Sequence, residues 1–326
     1  MTERNDEQPM RPFTLRGINS FFVGGGNSSL ELAPTENVAL AMGSKPVPLE
    51  QSGDFETGQM YVQGFLGASE ADTTPILMWH GGGMTGVTWE TTPDGRPGWL
   101  ELALCDRFDV YVSDAVERGR SSAPPQAITT MSPVFRTKAL AWDVFRMGPD
   151  GGYVTTPQDR QPFPGQRFPM QAFDMLARQF VVRWPELLPM VKTAYREYLA
   201  RFESCIIIAH SQAGGLAIET ALAQPGRVRA LILVEPSGAP DIKTVEATKD
   251  IPHLVIWGDY FTESPRWREN RSIVEGYLNA ITSHAGRVDI IDLPARGIHG
   301  NSHCPMMDNN SAEIWTMISA WIKALD

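Results

Sequence analysis

A serine hydroxyl is a weak nucleophile near neutral pH. It does chemistry where a base takes its proton and where donors meet the oxyanion that its attack creates. The run CIIIAHSQAGG, residues 205–215, joins an apolar strand-like stretch to a helical one through a tight turn whose middle residue is Ser211. Small residues stand two positions to either side, Ala209 and Ala213, as a close strand–turn–helix junction requires. Such a turn holds its serine in strained geometry above the carboxyl edge of a sheet. The usual GxSxG pattern has glycines where this chain has alanines, and the turn taken alone also fits a serine capping an ordinary helix.

Donors come from two places. The backbone N–H of Gln212 follows the serine, and HGGG at residues 80–83 follows the apolar run 76–79. Glycines leave their N–H groups uncovered, so Gly82, with Gly83 as the second choice, completes an oxyanion hole with Gln212. The GxGxxG and GxxxxGK[ST] spacings of phosphate cradles are absent.

For the base, the loop RGIHGNSHCPMMDNN lies between the last strand-like run and the final helix and offers His299 and His303. In this architecture the base follows the final strand, so the loop is the right place. His303 stands just ahead of the terminal helix and is the expected base; His299 is expected as a substrate-contact residue. Met306 and Met307 follow and are expected either to touch substrate or to bury the helix start. Two carboxylates end strands where an acid could orient that histidine. Glu235 closes ALILVEPSG, and Asp259 follows Gly258 in HLVIWGDYF. Glu235 is preferred because it sits at a strand end one αβ unit after Ser211, stiffened by Pro236. Asp259 stays the alternative.

AHSQAGG, LVEPSG and GIHGNSH with the following DNN together resemble the esterase 713-like family of bacterial α/β hydrolases. The resemblance runs from HGGG to the C-terminus, about three quarters of the chain. It implies an α/β-hydrolase fold with a cap, Ser211 as nucleophile, Glu235 as acid and His303 as base. The glycine pair Gly82 and Gly83 departs from the family, where bulkier residues flank the oxyanion hole, and implies a pocket roof open to a different substrate shape.

The elements that must position these residues are legible as short, continuous apolar runs at 76–79, 110–112, 206–209, 231–234, 254–257 and 288–291. Between and after them lie candidate helices at 186–202, 214–224, 267–284 and 311–325. This alternation reads as an α/β fold with a mostly parallel, doubly wound sheet. Residues 13–67, with β-prone pieces at 13–23 and 59–65, suggest an antiparallel edge. Residues 124–185 carry many prolines, glycines and aromatics but no strand run. They are too long for an ordinary connection and are expected to form an inserted cap with helices at 137–147 and 170–183. The catalytic domain then comprises 1–123 and 186–326. The cap aromatics, Phe135, Phe145 and Phe163 among them, line a substrate pocket or form the cap's own small core.

The chain has 326 residues, 42% of them hydrophobic and 20% charged, which fits a globular protein and excludes a disordered one. Against 28 Lys and Arg stand 38 Asp and Glu, a net charge of −10 that disfavours nucleic acid and anionic lipid as partners. A small, neutral or hydrophobic substrate is expected. The apolar runs are far below the roughly 20 residues of a membrane span. The charged first residues, MTERNDEQPMRPF, lack a secretory pattern, so a cytoplasmic location is expected. Three cysteines without CxxC spacing encode neither a disulfide framework nor a zinc site, and Cys304 is expected to be packing. No metal or organic cofactor is implied. The sequence does not fix an oligomeric state, although a homodimer is the commonest closed assembly.

These readings converge on a serine esterase working through an acyl-enzyme. A lactonase, an amidase or a carbon–carbon hydrolase uses the same machinery, and a non-catalytic binding protein on the same fold is the reading from another class.

Overall fold

Strands rich in Ile, Leu and Val point successive side chains to opposite faces, so a strand that is apolar throughout needs cover on both sides. In β3 (Ile76–Trp79) every residue is buried. Ile76 and Met78 join one core cluster, and Leu77 and Trp79 join the other. The computed structural model describes residues 12–32, 37–68, 74–125 and 128–325.

Eight strands form one sheet in the order β1-β2-β4-β3-β5-β6-β7-β8. β1 (Leu15–Leu30) and β2 (Gly53–Gly67) pair antiparallel, and β2 pairs antiparallel with β4 (Val110–Asp114). From β4 onward all pairing is parallel, through β5 (Cys205–His210), β6 (Val228–Val234), β7 (His253–Trp257) and β8 (Val288–Asp292). This is the α/β-hydrolase fold. The N-terminal hairpin is the expected antiparallel edge, extended well beyond residue 23 because β1 keeps a partner as far as Leu30↔Gly53.

One face of the sheet is covered by α1 (Trp99–Cys105) and the C-terminal α7 (Ser311–Lys323), where the Trp99 and Trp315 rings lie 6.0 Å apart. The other is covered by α4 (Leu188–Leu199), α5 (Gln212–Ala223) and α6 (Pro265–Ser283). There Trp79 of β3 stacks on Tyr195 of α4 with centroids 3.9 Å apart. Each fully buried Ile or Leu contributes roughly 1.5–3 kcal/mol, so the central strands hold a rigid carboxyl edge for the loops above them.

Between β4 and β5 the chain makes a long excursion, with α2 (Lys138–Val144) and α3 (Phe173–Ala177) among the described residues. Thr137 caps α2 by accepting from the Leu140 N–H at 3.1 Å. The helix expected over 170–183 is shorter. A 3-10 turn at Met170–Ala172 leads into α3, which ends at Ala177. Beyond it the chain is extended, because the Val181 N–H donates to the Gly83 carbonyl and Arg183 forms a two-way bridge with Val134. Phe168 and Phe173 are buried in the core, and Trp142 meets Phe173 edge-on. Phe145, buried in the same cluster, and the exposed Phe135 border a cavity. No helix among the described residues is long and apolar enough to cross a membrane.

Candidate active site

Ser211 sits between the last residue of β5 and the first of α5 with φ 54° and ψ −120°, in the left-handed region that a side chain enters only under constraint. The constraint is a set of backbone bonds. The Ser211 N–H donates to the Val234 carbonyl at 3.0 Å, and the Ser211 carbonyl accepts from Gly214 at 2.9 Å and Ser237 at 3.0 Å. A side chain on Gly81 would start 2.8 Å from His210 Nδ1 and 3.2 Å from Ser211 Cβ, so a glycine lets the HGGG loop close against the serine.

His303 comes to the serine from the loop after β8. Asp308 braces that loop, its carboxylate accepting from the Ser302 N–H at 2.8 Å, the Ser302 hydroxyl at 2.7 Å and the Asn301 amide at 2.9 Å. The His303 N–H donates to the Phe145 carbonyl at 3.0 Å, and the His303 carbonyl accepts from His210 Nε2 at 2.8 Å. The imidazole packs against the Trp267 ring, centroids 3.9 Å apart, and parallels Phe145 at 6.0 Å.

Glu235, itself at φ 50°, closes β6 with no exposed surface. Its Oε2 accepts from His303 Nδ1 at 2.9 Å, which leaves Nε2 to accept from the Ser211 hydroxyl at 2.9 Å. Its Oε1 accepts from the Gly258 N–H and faces Arg146 Nη2 at 2.7 Å. Arg146 is 1% exposed, donates Nε to the Asp259 carbonyl at 2.7 Å and lies over the Phe261 ring at 4.1 Å. Burial, then the positive charges of Arg146 and Arg136, hold the His303 imidazole well below its ordinary pKa, so it stands neutral. His210 is pulled down to about 3 by burial and by neighbouring His303. Burial and Arg118 bring His80 to about 4, with the Ala115 N–H donating to its Nε2 at 3.0 Å.

A cavity of about 350 Å³ opens over Ser211 and is lined by Gly82, Gly83 and Gln212 together with the excursion and the start of α6. The loop carbonyls are tied back, Gly82 O accepting from Arg136 Nη2 at 2.6 Å and Gly83 O from Val181 N at 3.1 Å. The first N–H groups of α5 have no partner within their own helix.

The other expected residues lie elsewhere. Asp259, the alternative acid, accepts from Gly300 N at 2.8 Å and Tyr260 N at 2.7 Å, and its Oδ2 lies 3.5 Å from His299. The His299 side chain is 69% exposed and does not line the cavity. Met306 and Met307 do not line it either. Arg96 donates to the Met307 carbonyl at 2.8 Å, and both side chains are buried in the core cluster that holds Trp99 and Trp315. None of the three residues borders this cavity, and Met306 and Met307 take the alternative expected of them, burial at the helix start. Cys304 is buried, and burial pushes its thiol pKa up. Arg146, Arg136, Arg183 and Trp267 carry no motif, and the sequence pattern missed them.

A mostly parallel sheet with a serine on a strand-to-helix turn, followed in chain order by an acid and a histidine, defines an α/β hydrolase. No protein-family model matches the chain. A solved structure described as that of a novel bacterial esterase is 31% identical, covers 97% of this chain and 98% of its own, and superposes with a TM-score of 0.82. A protein from Fungal sp. (strain ATCC 74256), named probable secreted lipase phiG, is 24% identical over 331 residues, 83% of this chain and 87% of that protein. The chain belongs to the family of the bacterial esterase, the esterase 713-like α/β hydrolases.

Proposed function

We propose that this carboxylic ester hydrolase works through an acyl-enzyme on Ser211, with His303 as general base and then acid and Glu235 as the group that orients it. The observation that carries the reading is the unbroken relay, buried from Glu235 Oε2 to His303 Nδ1 at 2.9 Å and continued from His303 Nε2 to the half-buried Ser211 Oγ at 2.9 Å, ending in a cavity bordered by the glycine loop. As Oγ attacks the ester carbonyl, His303 takes its proton, and the oxyanion accepts from the Gln212 and Gly82 N–H groups. Collapse expels the alcohol, protonated by His303. Water, deprotonated by the same nitrogen, then attacks the acyl-enzyme and releases the acid. Glu235 holds the tautomer and meets the transient imidazolium with a negative charge.

An organophosphonate probe tests this. It should label Ser211 and nothing in Ser211→Ala, whose kcat should fall by roughly 10⁴-fold or more. A label on another residue, or an active Ser211→Ala enzyme, overturns the reading. Lactones, amides and carbon–carbon substrates fit the same relay. A panel of p-nitrophenyl esters, lactones and aryl amides ranked by kcat/KM separates them, with simple esters expected first.

A further inference from the structure

The lining of the Ser211 cavity includes three arginines, Arg136, Arg183 and Arg266, and no aspartate or glutamate, in a chain whose net charge is −10. Arg266 is exposed. The other two stand at the glycine loop. A Cβ on Gly83 would lie 3.3 Å from Arg136 Nη2, and one on Gly82 would lie 3.2 Å from Arg183 Nη1. The excursion fixes both, since the Val134–Arg183 bridge (2.8 and 3.2 Å) clamps its two arms together two residues before Arg136.

Neither guanidinium has an ion-pair partner among the described residues. Arg136 lies near the Phe145 and Phe180 rings, 4.9 and 5.5 Å from their centroids, and gives Nη2 to the Gly82 carbonyl. Its Nη1 is buried without a hydrogen-bond partner. Glu117, a carboxylate that feels the field of Arg183, is already taken by Arg118 at 2.9 Å and by the Trp184 N–H at 2.7 Å. Two unpaired cations side by side are costly, and burial, the field of Arg183 and that of Arg118 pull Arg136 down to about 10. It remains charged at neutral pH. A buried donor without an acceptor on Arg136, with the half-buried, unpaired guanidinium of Arg183 beside it, makes the glycine loop suited to an anion. A carboxylate fits it by accepting from guanidinium edges.

We infer that the physiological substrate is an ester bearing a carboxylate a few bonds from the scissile carbonyl, a half-ester of a short dicarboxylic acid in chemical class, held by Arg136 and Arg183 beside the oxyanion loop. This rests on the serine-esterase reading and replaces the neutral substrate expected from net charge.

The test compares monomethyl glutarate with methyl valerate by pH-stat, which differ in having a carboxylate or a methyl at the far end. The enzyme should favour the charged ester by roughly 10- to 100-fold in kcat/KM, the range of a charge-assisted hydrogen bond or two. Arg183→Gln, and separately Arg136→Gln, should collapse that ratio toward one, chiefly through KM for the charged ester. Equal or reversed preference in the parent enzyme, with turnover still dependent on Ser211, overturns the inference and leaves the esterase reading standing. Should both esters be turned over too slowly to rank, glutarate is used to slow labelling of Ser211 by a fluorophosphonate. Protection that weakens in Arg183→Gln is expected; no protection by glutarate overturns the inference, whereas absence of any label at Ser211 overturns the esterase reading beneath it.

Discussion

A carboxylate removed from water needs partners on both oxygens, and Glu235 has them: His303 on one, Gly258 and Arg146 on the other. The arrangement separates its role from that of Asp259, whose oxygens are turned to backbone N–H groups and to His299. Glu235→Gln should lower kcat by about 10³- to 10⁴-fold through loss of the tautomer and the counter-charge, while Asp259→Asn should stay within about tenfold of the parent, as befits a group off the relay. Steady-state kinetics on one ester decides it; the reverse pattern makes Asp259 the acid. Arg146 acts on the same relay from behind. Its charge is one of the causes that depress His303, so Arg146→Gln should raise the His303 pKa and move the acid limb of kcat/KM to higher pH. Stability should fall by about 3–5 kcal/mol as well, because a buried carboxylate loses its ion-pair partner. A pH–rate profile that stays in place shows Arg146 to be structural only. Ser211, Glu235 and His303 were legible because each lies in a run whose spacing is local. Arg146 was not, because it reaches Glu235 across 89 positions (235 − 146) through a turn that no local pattern announces.

At the scale of elements, the serine turn works only while α5 can lie close to the chain that leaves β6. Helical periodicity placed the start of α5 at Gly214, yet the helix begins at Gln212, directly behind the serine, since Gly214 and Gly215 are inside its first turn. A Cβ on Gly214 would meet Pro236 Cβ at 2.6 Å and Pro236 Cα at 3.1 Å, a ring and a backbone that cannot swing aside. Gly214→Ala should therefore cost about 1–3 kcal/mol by overpacking and lower kcat, because Ser211 must move with the helix. Chemical denaturation and kcat on a simple ester measure the two, and unchanged values for both would show that the close approach is dispensable. The central strands were readable because continuous apolar runs leave few alternatives to a doubly covered sheet. The seven-residue α1 is too short to show periodicity, and the extended stretch ending at Arg183 owes its shape to Gly83 and Val134, partners far away in sequence.

For the molecule as a whole, net charge was a poor guide to the cavity, since the acidic excess lies elsewhere and the lining of the site collects cations. Buried histidines give a second global property that composition does not show. His80 and His253 are depressed to about 4 and His210 to about 3, in each case chiefly by burial. A histidine whose native pKa lies below the unfolded value of 6.5 stays neutral in the fold; the stability it confers is present above pH 6.5 and is lost as pH falls toward the native value. Asp308 works in the opposite sense, because burial raises it to about 6 and the native state takes up its proton first. Four depressed histidines, His303 included, stand against the raised carboxyls of Asp308, Glu90, Glu101 and Glu117, and while the histidines outweigh them the unfolded chain binds more protons and stability falls as pH drops below about 6. Urea unfolding at a series of pH values should show that decline. His253, which begins β7 away from the relay, donates Nδ1 to the Ile251 carbonyl at 2.7 Å and keeps a buried Nε2 without a partner. In His253→Gln the slope should ease by about 1.4 kcal/mol per pH unit, one proton's worth, whatever the variant's stability at neutral pH. A slope identical to the parent's would mean that His253 protonates in the folded state and that the acid sensitivity has another source.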